Sequence, residues 1–123
     1  MSIGAPPREP REAVQFGRGA QSYILVILAQ GRSYGYQIRQ RLEDEFGYEK
    51  AAADPGALYR LLREMEAAHF IESTWDIAET GPARRYYQLT DAGREQLRLS
   101  ADRLHRQTKR IERFMELYAE VGA

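Results

Sequence analysis

Cysteine is absent from this chain of 123 residues, and histidine is scarce, with two residues. Without cysteine there are no disulfides, cysteine-ligated zinc or thiol catalysis, and two histidines cannot build a site of several imidazoles. Long hydrophobic runs are missing too. The longest, Tyr23 to Ala29, is far shorter than a membrane span, which needs about 20 residues. No serine has a histidine at a spacing that would suggest a catalytic pair. We therefore expect no catalytic residues, metal, cofactor or membrane span.

An excess of charge of one sign is also lacking, because 18 basic residues balance 18 acidic ones. The length allows one domain with one appended element. Residues 1–19 hold three of the five prolines and no apolar segment, which is typical of a mobile tail rather than of a signal peptide. We expect a flexible N-terminal tail and a cytoplasmic protein.

Two helices are predicted after the tail. Residues 20–30 are apolar nearly all round and are followed by Gly31, which predicts a short buried helix. In the next segment Ser33 is a candidate cap for a second helix. One apolar stripe recurs there every four residues: Tyr34, Ile38 and Leu42.

A third helix separates a buried face from a basic one. It is predicted to open with Asp54-Pro55, a capping acceptor followed by proline at the first helical position. The apolar side holds Leu58, Leu61, Leu62, Met65 and His69, and the other side holds Gly56, Arg60, Arg63 and Ala67. We expect His69 to be a packed residue or a helix C-cap. Arginines beside small residues suit a helix that enters a DNA major groove, although solvated arginines are the alternative.

The apolar pattern then changes to that of strands. Residues 70–76 and 84–90 are rich in aromatic and β-branched residues and predict a hairpin, with Trp75 anchoring it against the core. Thr90-Asp91 begins a last helix of about 28 residues. Three short helices, a hairpin and a helix are the order of a winged helix-turn-helix, so we predict an α+β fold that is mostly α.

The hairpin supports DNA binding, because Arg84 and Arg85 begin its second strand near Gly81-Pro82, within reach of phosphates. Small Gly56 and Ala57 at the start of the third helix allow a close approach to a phosphate. We predict a DNA-binding protein. Two other classes stay open: a winged-helix module that binds a protein, and a small-molecule binder that does not bind DNA.

The last helix carries apolar residues at heptad spacing, namely Leu97, Leu104, Ile111 and Tyr118, with Phe114, Met115 and Val121 on the same stripe. It would be about 42 Å long, which is more than a small domain can cover. We predict that residues 97–123 form a dimerisation helix, the alternative being a helix folded back on its own core. Thr108 interrupts the stripe, either as a register device or as the wall of a ligand cleft.

Five segments, in this order and at this spacing, resemble the PadR family of bacterial transcriptional regulators over roughly residues 23–97. They are Ile24–Gly31, Tyr34–Ile38, Asp54–Glu66, Phe70–Ser73 and Gly81–Glu95. The resemblance implies a winged helix-turn-helix domain over residues 20–96. It also implies a homodimer, usually a repressor, that binds a palindromic operator in double-stranded DNA. The single C-terminal helix is similar to that of the family's smaller subgroup.

The resemblance places the DNA contacts on the first turns of the third helix and on the wing. Together with the reasoning above, the candidate DNA-binding residues are Tyr36, Gly56, Ala57, Tyr59, Arg60, Arg63, Arg84 and Arg85. The chain departs from the family where Asp54 replaces a common Ser, Ala57 a common Thr and Arg60 a frequent Pro. We expect some contacts to have moved from the hydroxyl position to Arg60.

The resemblance also raises an effector site, because some members of the family bind flat aromatic compounds beside their C-terminal helices. Such sites need apolar walls with a few polar groups. The candidate residues of the dimer interface or effector cleft are Tyr23, Leu104, Thr108, Ile111, Phe114, Met115 and Tyr118. A dimeric helix seam explains the same aromatic residues, and we prefer that interpretation.

Overall fold

A computed structural model describes residues 8–48, 55–77 and 81–122, with the backbone alone for residues 8–18 and 55. The described residues form four helices and three strands. In chain order they are α1 (Arg8–Gln30), β1 (Ser33–Tyr34), α2 (Gly35–Phe46), α3 (Pro55–Ala67), β2 (Ile71–Asp76), β3 (Arg84–Leu89) and α4 (Asp91–Glu120). The predicted mostly helical winged helix-turn-helix with a long C-terminal helix is confirmed.

Helix α1 is much longer than the sequence indicated. It begins at Arg8, not near residue 20, so residues 8–19 of the segment interpreted as a mobile tail are helical. The proline that suggested a tail, Pro10, lies in the first turn, where its missing N–H leaves no helical hydrogen bond unmade. Residues 1–7 lie outside the described part of the chain.

The start of α2 also differs from the prediction. Ser33 is not its cap, because Ser33 belongs to β1 and its hydroxyl donates to the Gly31 carbonyl at 3.3 Å. The N-cap is Tyr34, whose backbone N–H donates to Oε1 of Gln37 at 2.9 Å. Strand β1 was not predicted, because its two residues are too few to show a periodic pattern.

One hydrophobic core joins α1, α2, α3 and the sheet. Its members share near-complete burial: Ala20, Ile24, Leu25, Ile27, Leu28, Ile38, Leu42, Leu58, Leu61, Leu62, Met65, Ile71 and Tyr87. The four predicted apolar positions of α3 from Leu58 to Met65 are therefore confirmed as core. The predicted Asp54 cap lies outside the described residues.

The packing predicted for His69 is wrong, because α3 ends at Ala67 and the His69 side chain is exposed. His69 takes the left-handed backbone conformation, with φ of 63°. Its N–H donates to the Glu66 carbonyl at 2.9 Å, and the N–H of Phe70 donates to the Met65 carbonyl at 3.0 Å. These two bonds end the helix as a Schellman motif, so the alternative prediction of a C-terminal capping position is confirmed.

The three strands form an antiparallel sheet in the order β1-β3-β2, with β3 in the centre. The predicted hairpin is confirmed, and Ile71 faces Leu89 at its base while Asp76 faces Arg84 near its tip. Trp75 does not anchor the hairpin in the core, because 60% of its surface is exposed. Residues 71, 73 and 75 share one face of β2, and only Ile71 lies deep enough to reach the core.

Helix α4 has 30 residues and is about 45 Å long. Thr90 caps it as predicted, since its hydroxyl accepts from the Gly93 N–H at 3.0 Å. The first half packs on the domain through buried Gly93 and Ser100, and Arg103 donates to the hydroxyl of Ser22 on α1 at 2.8 Å. Every residue from 105 to 122 is exposed. None of the helices, taken over the described residues, is long and apolar enough to cross a membrane.

Candidate nucleic-acid interface

The outer face of α3 presents two arginines. Leu58 and Leu62 are buried against the core, which fixes the rotation of the helix, while the side chains of Arg60 and Arg63 are exposed. These two positions are three residues apart, about 60° around the helix axis, and so lie on one side of it. The buried and basic faces of α3 are therefore separated as the sequence indicated.

The N-terminus of α2 is packed tightly against α3. Gly35 is buried, and a Cβ placed on it would lie 2.6 Å from the hydroxyl oxygen of Tyr59 and 3.0 Å from Cζ of its ring. The absence of a side chain at Gly35 thus makes room for the Tyr59 ring. Tyr59 and Tyr36, which follows Gly35 in α2, keep 39% and 49% of their surfaces exposed on this side of the domain.

Arg85 on β3 is held by α3. Its Nε donates to the Ser73 hydroxyl at 2.8 Å, and that hydroxyl donates to Oε2 of Glu66 at 2.7 Å. The Arg85 Nη2 also pairs with Oε1 of Glu66 at 3.3 Å. The charge of Arg85 is thereby partly neutralised. The sequence could not distinguish Arg85 from Arg84 in this respect.

Arg84 is placed differently from its neighbour. Its guanidinium carbon lies 5.8 Å from the ring centroids of both Tyr34 and Tyr36, a cation–π arrangement. Across the described residues, no carboxylate lies within ion-pair distance of it. Arg84 therefore offers a positive charge to a ligand from outside the domain.

The ring of Tyr34 is fixed by the wing. Its hydroxyl donates to Oδ2 of Asp76 at 2.6 Å. This hydrogen bond to a carboxylate, together with desolvation and the Asp76 charge, raises the pKa of Tyr34, so the phenol stays protonated and remains a donor. Asp76 on β2 and Tyr34 beside α2 are thus tied together, which holds the wing against the start of α2.

These groups surround an open cleft of about 570 Å³ between the start of α2, α3 and the wing. Tyr36, Tyr59, Trp75, Arg84 and Arg85 all line it. Four of the predicted DNA-binding residues, namely Tyr36, Tyr59, Arg84 and Arg85, are therefore brought together at one cleft. Trp75 was not predicted to belong there, and its exposure on an otherwise alternating strand had no signal in the sequence.

The remaining predicted DNA-binding residues lie at the N-terminal turn of α3. Gly56 and Ala57 are half-buried, and Ala57 packs against the core. The Ala57 methyl group therefore faces inward. Residues 78–80 at the tip of the hairpin lie outside the described part of the chain.

The predicted dimer residues of α4 form an exposed apolar face. Ile111, Phe114, Met115 and Tyr118 each have roughly half or more of their surface exposed, and the Phe114 and Tyr118 rings stack with centroids 6.4 Å apart. Leu104 is half-buried, where the helix leaves the domain. The hydroxyl of Thr108 donates to the Leu104 carbonyl at 2.9 Å, so it is satisfied within the helix.

Tyr23 is the one candidate for the dimer interface or effector cleft that does not lie on α4. Its ring stacks on Phe46 with centroids 4.2 Å apart and lies 6.0 Å from the ring of Tyr48. It thus belongs to a cluster between α1 and the end of α2. No three His, Asp or Glu side chains in the described part of the chain are arranged to hold a metal ion.

The fold and this basic, aromatic side together define a winged helix-turn-helix protein. The family described as "Transcriptional regulator PadR-like family" matches residues 24–99, more than half of the chain. The protein belongs to the PadR-like family of transcriptional regulators, as the sequence segments indicated.

Individual relatives agree with this assignment. A Mycobacterium tuberculosis protein named "Probable transcriptional regulator" is 32% identical over 74 residues, which are 60% of this chain and 39% of that relative. This chain thus spans about two fifths of the relative's length. A PadR family transcription regulator from Clostridium difficile is 25% identical, with a TM-score of 0.69 over 78% of this chain and 97% of that chain.

One similar structure contains DNA. Bacillus subtilis PadR in complex with operator DNA is 28% identical to this chain, with a TM-score of 0.57. The likeness covers 66% of this chain and 45% of the Bacillus protein.

Proposed function

We propose that this protein is a sequence-specific transcriptional regulator that binds double-stranded DNA as a homodimer and represses the genes it controls. The observation that carries the proposal is a set of exposed arginines, Arg60 and Arg63 on α3 and Arg84 on the wing. Membership of a family of transcriptional regulators and the likeness to an operator-bound PadR support it.

The proposed DNA contacts are divided between α3 and the wing. Arg60 lies on the exposed side of α3 where that helix would enter the major groove, and a bidentate contact to guanine is the commonest specific contact of an arginine. Arg84 on the wing is free to pair with a phosphate, whereas Arg85 must first leave Glu66. We therefore assign base reading to α3 and backbone contact chiefly to Arg84.

The exposed half of α4 supports the proposed dimer. Its outer half carries exposed apolar side chains along a helix that has left its own domain, and a second copy of this helix is the surface that would cover them. Two α3 helices related by a two-fold axis would read an inverted repeat with half-sites about 10 base pairs apart, or a multiple of that. We assign the exposed aromatic residues of α4 to this seam rather than to an effector cleft.

We expect repression because a dimer bound to promoter DNA would exclude the polymerase. Selection of bound duplexes from a random pool tests the DNA-binding proposal, with enrichment of one inverted repeat as the expected result. In vitro transcription from a promoter containing that repeat should then fall as the protein is added. Enrichment of no sequence, with no salt-dependent binding to any duplex, would instead favour a protein-interaction module.

A further inference from the structure

The wing carries two neighbouring arginines near two carboxylates, but only one ion pair forms. Arg85 pairs with Glu66 at 3.3 Å. Arg84 lies directly opposite Asp76 in the pairing of β3 with β2, and side chains in such cross-strand pairs have Cβ atoms about 4.5–5.5 Å apart. This spacing allows an arginine and an aspartate to pair, yet no ion pair joins these two described side chains. The difference lies in what else the Asp76 carboxylate contacts.

The Asp76 carboxylate is engaged by the hydroxyl of Tyr34, which donates to its Oδ2 at 2.6 Å. A hydrogen bond from a hydroxyl to a carboxylate at this distance is one of the stronger kinds in proteins. The Arg84 guanidinium lies instead beside the rings of Tyr34 and Tyr36, with its carbon 5.8 Å from each centroid. The Tyr34 hydroxyl thus competes with Arg84 for the same carboxylate, while the Tyr34 ring gives the guanidinium a neutral neighbour.

Tyr34 is held in place by contacts that do not involve its hydroxyl. Its backbone N–H donates to Oε1 of Gln37 at 2.9 Å. Its ring stacks on Tyr36 with centroids 6.1 Å apart and meets Tyr86 edge-on with centroids 6.0 Å apart. A phenylalanine at this position could keep all three contacts. The change Tyr34→Phe therefore removes the hydrogen bond to Asp76 and little else.

We propose that Tyr34 is a positioning residue, which keeps Arg84 available to an external anion by holding Asp76 away from it. This role needs no contact between Tyr34 and the anion. Without the hydroxyl, Asp76 would turn across the strand pair to Arg84, as Glu66 already reaches Arg85 from α3. That the anion is a DNA phosphate rests on the proposed function, whereas the unpaired state of Arg84 does not.

Anisotropy titrations of the full chain with the selected repeat and with a random duplex, over a salt series, test this role. Tyr34→Phe should weaken both complexes about threefold at low salt and reduce the slope of log K against log salt by about 0.5–1 per protomer. The reason is that a phosphate would have to displace Asp76, whose charge would stay beside it. In the Asp76→Asn background, Tyr34→Phe should leave the slope unchanged. The matched control Tyr86→Phe removes a hydroxyl that is bonded to Arg32 and not to a carboxylate, so it should match the parent.

Immobilised heparin, a sulfated polyanion, separates this inference from the proposed function. Tyr34→Phe should elute from it at a lower salt concentration than the parent, and the addition of Asp76→Asn should abolish that difference. This heparin pattern in a protein that binds no duplex would disprove the proposed function and leave the role of Tyr34 intact. An unchanged salt slope and heparin elution in Tyr34→Phe would overturn the role of Tyr34, and so would a loss that Asp76→Asn does not prevent.

Discussion

At the scale of single residues, two of the glycines that have no room for a side chain allow helices to pack closely. Gly35 lets the Tyr59 ring lie against the start of α2, and Gly93 lets the first turn of α4 lie against the Phe70 carbonyl. Neither glycine has a left-handed backbone, so the requirement comes from close approach and not from conformation. Position 93 therefore affects stability, and position 35 affects the shape of the cleft between α2, α3 and the wing.

Gly93→Ala should lower the free energy of unfolding by about 1–3 kcal/mol, because its methyl group would meet the Phe70 carbonyl, a backbone atom that cannot turn aside. Urea unfolding followed by circular dichroism measures this. The control Glu112→Ala, at an exposed position of α4, should stay within about 0.5 kcal/mol of the parent. A Gly93→Ala protein as stable as this control would show that α4 can shift away from Phe70 at little cost.

Neighbouring Arg84 and Arg85 should contribute unequally to DNA binding. Arg84→Ala should weaken binding to operator and random duplexes alike and reduce the slope of log K against log salt by about 1 per protomer. Arg85→Ala should change the slope less, because its guanidinium is engaged by Glu66 and Ser73. Equal losses in the slope, measured by anisotropy over a salt series, would mean that Arg85 leaves Glu66 on DNA.

At the scale of elements, α3 combines a buried stripe with an exposed basic side, and we expect its arginines to divide their roles. Arg60→Ala should lose about 1–3 kcal/mol of discrimination for the operator while retaining most non-specific binding. Arg63→Ala should weaken operator and scrambled duplexes together, because Arg63 lies further along α3 and to one side, where a backbone phosphate is the nearer target. If Arg60→Ala keeps the parent's ratio of operator affinity to scrambled-duplex affinity, the bases must be read by Tyr59 or through DNA shape.

Periodicity was enough to predict most elements of the fold. The apolar positions of α3 and both hairpin strands could be predicted, because strong periods and turn residues such as Gly81 mark them. Strand β1 could not, since two residues form it only by pairing with Tyr86 and Tyr87, far along the chain. The long α1 was missed because the three prolines of residues 1–19 were interpreted as typical of a mobile tail, although the first helical turn tolerates Pro10.

The candidate DNA-binding residues could be predicted by residue type but not by arrangement. The arginines of α3 were placed correctly on its exposed side. Two pairings were out of reach of the sequence: Arg85 with Glu66, and Tyr34 with Asp76, which are 42 positions apart. Trp75 is exposed because the core ends beneath an earlier part of β2. The local sequence pattern does not show where the core ends.

At the scale of the whole molecule, α4 projects an apolar face beyond its own domain, and we expect it to pair with a second copy. Ile111→Asp should yield monomers in sedimentation velocity, because a charge at a buried seam is costly. Lys109→Asp, an equivalent charge at an exposed position off the stripe, should leave the dimer intact. A dimeric Ile111→Asp protein would place the interface elsewhere.

The most direct test of the central claim, that α3 and the wing together bind duplex DNA, is an anisotropy titration of the selected inverted repeat over a series of salt concentrations. The parent protein should bind the repeat as one dimer per site, with an affinity that falls as salt rises. The double variant Arg60→Ala, Arg84→Ala should lose both the preference for the repeat and about one unit of salt slope per protomer, whereas Arg106→Ala should match the parent. Undiminished affinity and slope in the double variant would contradict the account, because the DNA would then be held by another surface.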